Sequence, residues 1–255
     1  MRRLTTVFLA ATLTTCAGAA TAFAQARPPL PPNPQPRVRA MINGGYQPSK
    51  TSFDDSFTFS LYQETGRSEV SYPVDAGPIF EGGAAIRLWR GLAVGGVVSR
   101  FSIDSTVTAR SFVPHPLFLQ RSREVTGEAG GIRREENAVH IQAQYLLPAM
   151  GRFRIVLAGG PSVIDIKQAI VTEVKYTEEY PYDTATFAGV DSRRITGTAT
   201  GFNAGADLQW MFTRNVGAGA LVRFTRAIVD LNIDGRTIQV DAGGTQVGAG
   251  VRIGF

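Results

Sequence analysis

The sequence is poor in the residues that carry most protein chemistry. Among 255 residues it has one cysteine, Cys16, and two histidines, His115 and His140. A single cysteine excludes an internal disulfide and a thiolate-rich zinc site. No stretch approaches the ~18 consecutive apolar residues of a membrane-spanning helix. Basic residues exceed acidic ones by only five. They are scattered, with no basic stripe, so nucleic acid is not an expected partner. What the chain does have is 28 glycines and an average hydropathy near zero. That combination suits strands with one polar and one apolar face, because opposite faces cancel in a window average.

The N-terminus reads as an export signal. Arg2 and Arg3 precede the apolar run Val7-Phe8-Leu9-Ala10-Ala11-Thr12-Leu13, and small residues lead to Ala22-Phe23-Ala24. A basic start, a short apolar stretch and an A-x-A site are the layout of a secretory signal peptide. Residues 1–24 are therefore expected to be removed, with cleavage after Ala26 as the second choice. Cys16 lies in this segment. Leu13-Thr14-Thr15-Cys16 resembles a lipoprotein site only faintly, since Thr15 stands where Gly, Ala or Ser is wanted. Cleavage leaves a chain without a thiol, and the loss of Arg2 and Arg3 takes the charge from +5 to +3. Residues 25–36 form a Pro-rich linker, with six prolines between Arg27 and Pro36. Such a stretch favours polyproline II and cannot pair in a sheet.

From 37 to 255 the dominant period is two, the period of a strand. It is plain at the end, where Val247, Ala249, Val251, Ile253 and Phe255 alternate with Gly or Arg. In 200–212, Thr200, Phe202, Ala204, Ala206, Leu208, Trp210 and Phe212 share one face, and Asn203, Asp207 and Gln209 lie on the other. The same scheme runs through 38–46, 79–89, 138–147, 152–164, 216–228 and 242–255. Segment 92–103 is a further strand whose facing stays open, because both of its faces are small and apolar, and the facing near 38–46 stays open as well. Eight strands result. Their connections are short at 90–91, 148–151 and 213–215, and long at 47–78, 104–136, 165–197 and 229–241. The expected fold is all-β: an eight-stranded antiparallel up-and-down transmembrane β-barrel, with short periplasmic turns and long extracellular loops. Trp89, Tyr145, Phe153, Trp210, Phe212 and Phe255 fall near the short-turn side, as an aromatic girdle would.

Across 37–255 the chain resembles the small OmpA-, OmpX- and OmpW-like outer-membrane barrels. The residues that carry the resemblance are the terminal Val251-Arg252-Ile253-Gly254-Phe255 and glycine-rich alternating strands such as Phe202-Asn203-Ala204-Gly205-Ala206-Asp207-Leu208. The resemblance implies residence in the bacterial outer membrane after signal-peptide export. It implies that Val251, Ile253 and Phe255 act as an assembly signal for the barrel-assembly machinery. It also implies contact with outer-membrane lipids, including lipopolysaccharide. A monomer is the expected state, and a soluble lipocalin-like binder is the rival at the level of fold.

An eight-stranded barrel has an interior that side chains can just fill. The inward positions are Glu81, Arg87, His140, Gln142, Gln144, Arg154, Asn203, Asp207, Gln209, Arg223 and Arg252. Isolated buried charge is costly, so Glu81 and Asp207 are expected to bond arginines in a polar network that fixes register. A slip of one residue would invert the assignment. The arginine excess makes a narrow small-solute or anion conduit the alternative function. A lipid-modifying barrel enzyme is a third reading, and catalysis is not expected. It needs a nucleophile and a base within reach, whereas His140, in Val139-His140-Ile141-Gln142, lacks a nearby His-x-Ser pattern. His115, in Val113-Pro114-His115-Pro116, has no evident partner.

The long connections differ in character. Residues 104–136 carry Arg110, Phe112, Phe118, Arg121, Arg123, Arg133 and Arg134, and 165–197 carry Glu173, Tyr176, Glu178, Glu179, Tyr180, Tyr182 and Asp183. Either segment can extend the strands above the membrane, with the arginines meeting lipopolysaccharide phosphates or the acidic neighbour. No ordered oxygen-ligand spacing is present, so neither a metal nor another cofactor is expected. The function read from these features is a non-enzymatic outer-membrane barrel with a structural or surface-interaction role.

Overall fold

The computed structural model describes residues 36–148 and 151–255. The signal peptide, all but the last residue of the Pro-rich linker, and the centre of the 148–151 turn lie outside the described residues. All regular structure described is antiparallel strand: β1 Val38–Gln47, β2 Thr51–Leu61, β3 Glu64–Val74, β4 Gly77–Trp89, β5 Leu92–Pro114, β6 Ser122–Leu146, β7 Phe153–Glu178, β8 Ala185–Met211, β9 Val216–Ile233 and β10 Arg236–Gly254.

Eight of these strands close a ring. β1 pairs with β10 on one side and with β4 on the other. From β4 each strand pairs with the next, through to β10. β2 and β3 form a hairpin outside this ring: Arg67–Ser71 of β3 pairs with Thr108–Phe112 of β5, and β2 ends the sheet. The expected count of eight strands is therefore corrected to ten. The two additional strands come from 47–78, read above as a loop, where Phe53, Phe57 and Phe59 alternate with small polar residues. The hairpin turns at Tyr62 and Gln63, both with positive φ (52° and 64°). A two-residue turn of this kind usually declares itself by Asn or Gly, and here it does not.

The connections 104–136, 165–197 and 229–241 are corrected likewise. They are mostly strand, and the tips shrink to 115–121, 179–184 and 234–235. The rows within each hairpin run to these tips, whereas the rows between hairpins stop early. β6 and β7 part above Arg134↔Gln168, β8 and β9 above Phe202↔Arg226, and β10 and β1 above Tyr46↔Val247. Beyond the ring the sheet thus divides into three lobes: β2-β3-β5-β6, β7-β8 and β9-β10.

Their inner faces meet in an apolar core that includes Val107, Ile132, Ile166, Ile170, Val229 and Leu231. Arg236 of β10 reaches Asp55 of β2 at 2.9 Å across the gap between those strands. Burial pushes the Asp55 carboxyl up, and the guanidinium opposes it.

Just above the last β1–β10 pair, Tyr46↔Val247, β10 kinks at Gly243 and Gly244, with φ of +85° and +137°. A Cβ on Gly243 would also stand 2.5 Å from the Thr225 carbonyl oxygen. Gly243→Ala is expected to destabilise by at least about 1–2 kcal/mol, the usual cost of a left-handed non-glycine residue. Gly96→Ala, whose Cβ meets open space, serves as the neutral comparison in the same urea titration. Equal midpoints for the two would remove the kink's importance.

In the ring, polarity is inside out. Ile42, Phe80, Leu88, Ile141, Phe202, Val222 and Val251 are exposed on the outer wall. Arg223, Arg252, Glu81, Asp207 and His140 are buried within. In β5, Ala93, Val97, Ser99 and Phe101 point in, and Val94 and Val98 point out, which settles the facing left open for 92–103.

Candidate functional site: the polar interior

Alternation delivers one side chain in two to the interior, and the eight-stranded ring brings those side chains within bonding distance of one another. One hydrogen-bonded chain crosses it. Arg252 grips Asp207 through Nε at 2.8 Å and Nη2 at 2.7 Å, while Gln209 Nε2 donates to the same carboxylate at 2.7 Å. Arg252 Nη1 also donates to Asn43, whose Nδ2 donates to Glu81 Oε1 at 2.6 Å. Glu81 binds Arg223, which donates through Nε to Gln246 at 2.9 Å. Gln246 passes on to Gln47 at 3.1 Å, and Gln47 donates to the Gly243 carbonyl at 2.9 Å. The Gly243 N–H donates to Glu136 at 3.0 Å, and Glu136 in turn accepts from Arg134 Nε at 2.7 Å. The side chains thus satisfy backbone that β10 exposes on leaving its partner.

A second chain lies beside it. Arg39 donates to Gln144 at 2.9 Å, Gln144 to Gln142 at 3.3 Å, and Gln142 to Asn203 at 2.8 Å. Asn203 Nδ2 donates to Ser162 Oγ at 2.9 Å. His140 sits between two serines, Nδ1 at 2.8 Å from Ser162 and Nε2 at 3.0 Å from Ser99. The sequence showed no nucleophile near His140, because Ser99 and Ser162 come from β5 and β7. The contact is enclosed: His140 is 0% and Ser162 1% exposed, and none of the three lines the interior cavity described below. Each serine hydroxyl meets one ring nitrogen, an arrangement that fixes the orientation of the imidazole.

The proposed positions therefore fall into two groups. Glu81, His140, Gln142, Gln144, Asn203, Asp207, Gln209, Arg223 and Arg252 are buried and bonded to one another or to further polar groups. Arg154 is buried, and Arg87 half-buried near the short-turn end; neither makes a side-chain hydrogen bond or ion pair among the described residues. The network also takes in Asn43 and Ser162, which alternation turns inward, and Arg39, Gln47, Gln246, Ser99, Arg134 and Glu136, which the sequence reading did not place there. Parity would have found several of them. Arg39 and Gln47 share the face of Asn43, and Arg134 and Glu136 continue the face of His140.

At the short-turn end the ring holds a cavity of about 40 Å³ lined by Arg39, Gln144, Arg154, Asp207 and Gln209 among others. That is room for a small group, since one water needs about 10–15 Å³ of such space. The three outward residues Val251, Ile253 and Phe255 lie on the wall of this end, where the Phe255 N–H donates to the Val38 carbonyl at 2.8 Å.

At the opposite end the hairpin tips are tied together. Arg123 of β6 pairs with Glu178 of β7, and Arg121 with Asp183 at 2.9 Å. Tyr62 donates to Glu178 at 3.1 Å. His115 gains neighbours that its sequence setting did not show. Its Nδ1 accepts from the Leu117 N–H at 3.1 Å, its ring tilts against Phe118, and Asp183 lies 3.9 Å from Nε2. Leu117, Phe118, Leu119 and Tyr180 stay exposed at this summit. Among the described residues no group of three His, Cys, Asp or Glu side chains is arranged to hold a metal ion.

No family model matches the sequence, and no curated protein matches it. Among solved structures the chain is similar to the outer membrane protein OprG from Pseudomonas aeruginosa, at 12% identity and a TM-score of 0.49, over 87% of this chain and 97% of that one. It is similar to the outer membrane protease OmpT from Escherichia coli, at 9% identity and a TM-score of 0.45, over 86% and 96%. It is also similar to Neisserial surface protein A, at 12% identity and a TM-score of 0.42, over 86% and 97%.

Proposed function

We propose that the chain is a non-enzymatic integral protein of the bacterial outer membrane. In this reading its eight-strand ring is a transmembrane β-barrel with periplasmic short turns, and its three lobes form a surface-exposed summit with a structural or interaction role. The observation that carries this is the inverted polarity of the ring. Ile42 is 71% exposed and Phe80 66%, while Arg223 is 1% exposed. Water would drive the opposite arrangement; a hydrocarbon surround around a hydrogen-bonded interior favours this one. The ring row from Phe202 to Met211 also has the length of a membrane-crossing strand, about 9–11 residues.

The short-turn cavity favours the small-solute or anion conduit as a second reading. Against it stand the bonded side-chain chains across the ring and the apolar core above them. The wall residues would contact outer-membrane lipid. Val251, Ile253 and Phe255 would serve the barrel-assembly machinery, and a monomer needs no further surface buried. Summit arginines already pair with neighbouring carboxylates, which weakens their use for lipopolysaccharide phosphates.

Outer-membrane fractionation and heat-modifiable gel migration test the placement. Recovery as a soluble periplasmic protein overturns it. In planar bilayers the wild type is expected to be electrically silent, and steady unitary conductance would favour the conduit. Lipid analysis of cells with and without the chain tests the enzyme reading, and a modified lipid A or phospholipid would reinstate it.

A further inference from the structure

We infer that the short-turn cavity is a binding site for one small oxyanion, phosphate or carboxylate, held by Arg39 and Arg154. Charge is unbalanced at this end of the interior. Arg39, Arg154, Arg223 and Arg252 are buried there against two carboxylates, Glu81 and Asp207. Both carboxylates are committed: Glu81 to Arg223 and Asn43, and Asp207 to Arg252 and Gln209.

That leaves Arg39 and Arg154. Arg39 spends one donor on Gln144, and its Nε, buried, has no hydrogen-bond partner. Arg154 makes no side-chain hydrogen bond or ion pair among the described residues, although it is only 8% exposed. Both line the same cavity, beside the amides of Gln144 and Gln209. Arginine is the side chain best suited to planar, bidentate recognition of carboxylate or phosphate. Arg39 Nε is buried without an acceptor, a costly state, while the Arg154 nitrogens face solvent, so an anion would relieve the first and pair the second.

The cavity lies at the short-turn end, and the bonded side chains of the ring stand between it and the summit. It therefore captures an ion from one side of the membrane and does not pass it through. This orientation rests on the function proposed above, whereas the site itself rests only on the interior geometry.

The test is titration of the purified chain, folded in detergent micelles, with inorganic phosphate and with acetate. Chloride at matched ionic strength and pH is the control, and calorimetry and the thermal unfolding midpoint are the readouts. The wild type is expected to bind one phosphate or acetate saturably and to unfold at a higher temperature in its presence than in chloride. The better-bound anion identifies the oxyanion class. Arg154→Gln and Arg39→Gln are each expected to weaken binding at least tenfold while keeping heat-modifiable migration. Arg154→Lys, which keeps the charge and loses the fork, is expected to fall between.

No saturable binding by folded wild-type protein overturns the site, as does equal binding by folded Arg154→Gln. Either outcome means that water alone solvates these arginines. Recovery of the chain from the periplasm would instead sink the membrane reading, and the titration would still decide the site.

Discussion

Arg223→Leu is expected to lower the unfolding free energy by about 3–5 kcal/mol, the range for removing one partner of a buried ion pair. The large size comes from what stays behind. Glu81 and Arg223 side chains are 4% and 1% exposed, so the orphaned carboxylate cannot turn to water. Gln246 loses its arginine donor in the same step. The Glu81→Leu/Arg223→Leu double variant is expected to recover much of the loss, because an apolar pair leaves no unpaired charge. Asn43 and Gln246 would still miss a partner, so recovery should be incomplete. Urea titration in detergent, followed by the fluorescence of Trp89 and Trp210, measures all three variants. A single variant within about 0.5 kcal/mol of wild type, the usual range for unremarkable surface changes, would mean that water reaches Glu81.

Ile141→Arg, on β6, carries the second large effect, on the outer face of the ring. Ile141 stands on the outer wall, 58% exposed, between Val139 and Tyr145. An arginine on the lipid face costs about 2–4 kcal/mol at the bilayer midplane and little near its edges. The loss should therefore appear in lipid vesicles, and shrink for the same substitution at Phe212 by the short turns. Were the wall in water, Ile141→Arg would be harmless or mildly solubilising. Equal stability of Ile141→Arg and wild type in bilayers would refute the inverted-polarity reading.

The alternation that made these faces legible is local, and so were the parts of the fold read from it. Segment 200–212 fixes which way Asp207 and Leu208 point without knowledge of any partner strand. The strand ends were not legible, because the pattern continues where the solvent changes. Above Ile164 the inward positions turn mostly apolar, as at Ile166 and Ile170, and the outward ones, Asp165 and Lys167, turn polar. The contrast that marks a membrane wall is lost there, though the strand persists. The β2-β3 hairpin was hidden by its turn, Tyr62-Gln63, which has none of the usual turn residues. At the site, Arg252 and Asp207 were legible as inward but not as each other's partner, since β8 and β10 meet across the interior. The same distance hid Ser99 and Ser162 from His140, and left Arg154 indistinguishable from arginines that do find a carboxylate.

The division of the sheet into three lobes decouples one end of the molecule from the other. Rows within the ring's hairpins continue from ring to tip, with bulges near Ser105 in β5 and near Val171 and Lys175 in β7, while rows between the three lobes stop at the ring. Adding two residues to both strands of the β9-β10 lobe would lengthen that lobe and preserve inward and outward parity. It would shift no pairing in β7-β8 or β5-β6. Register in the ring is set low, where each strand has two neighbours, so sequence drift at the tips cannot propagate downward as a slip. Each lobe is then free to vary its outer face, constrained to keep an apolar inner face and the ion pairs that tie it to its neighbours, such as Arg123–Glu178 and Arg236–Asp55.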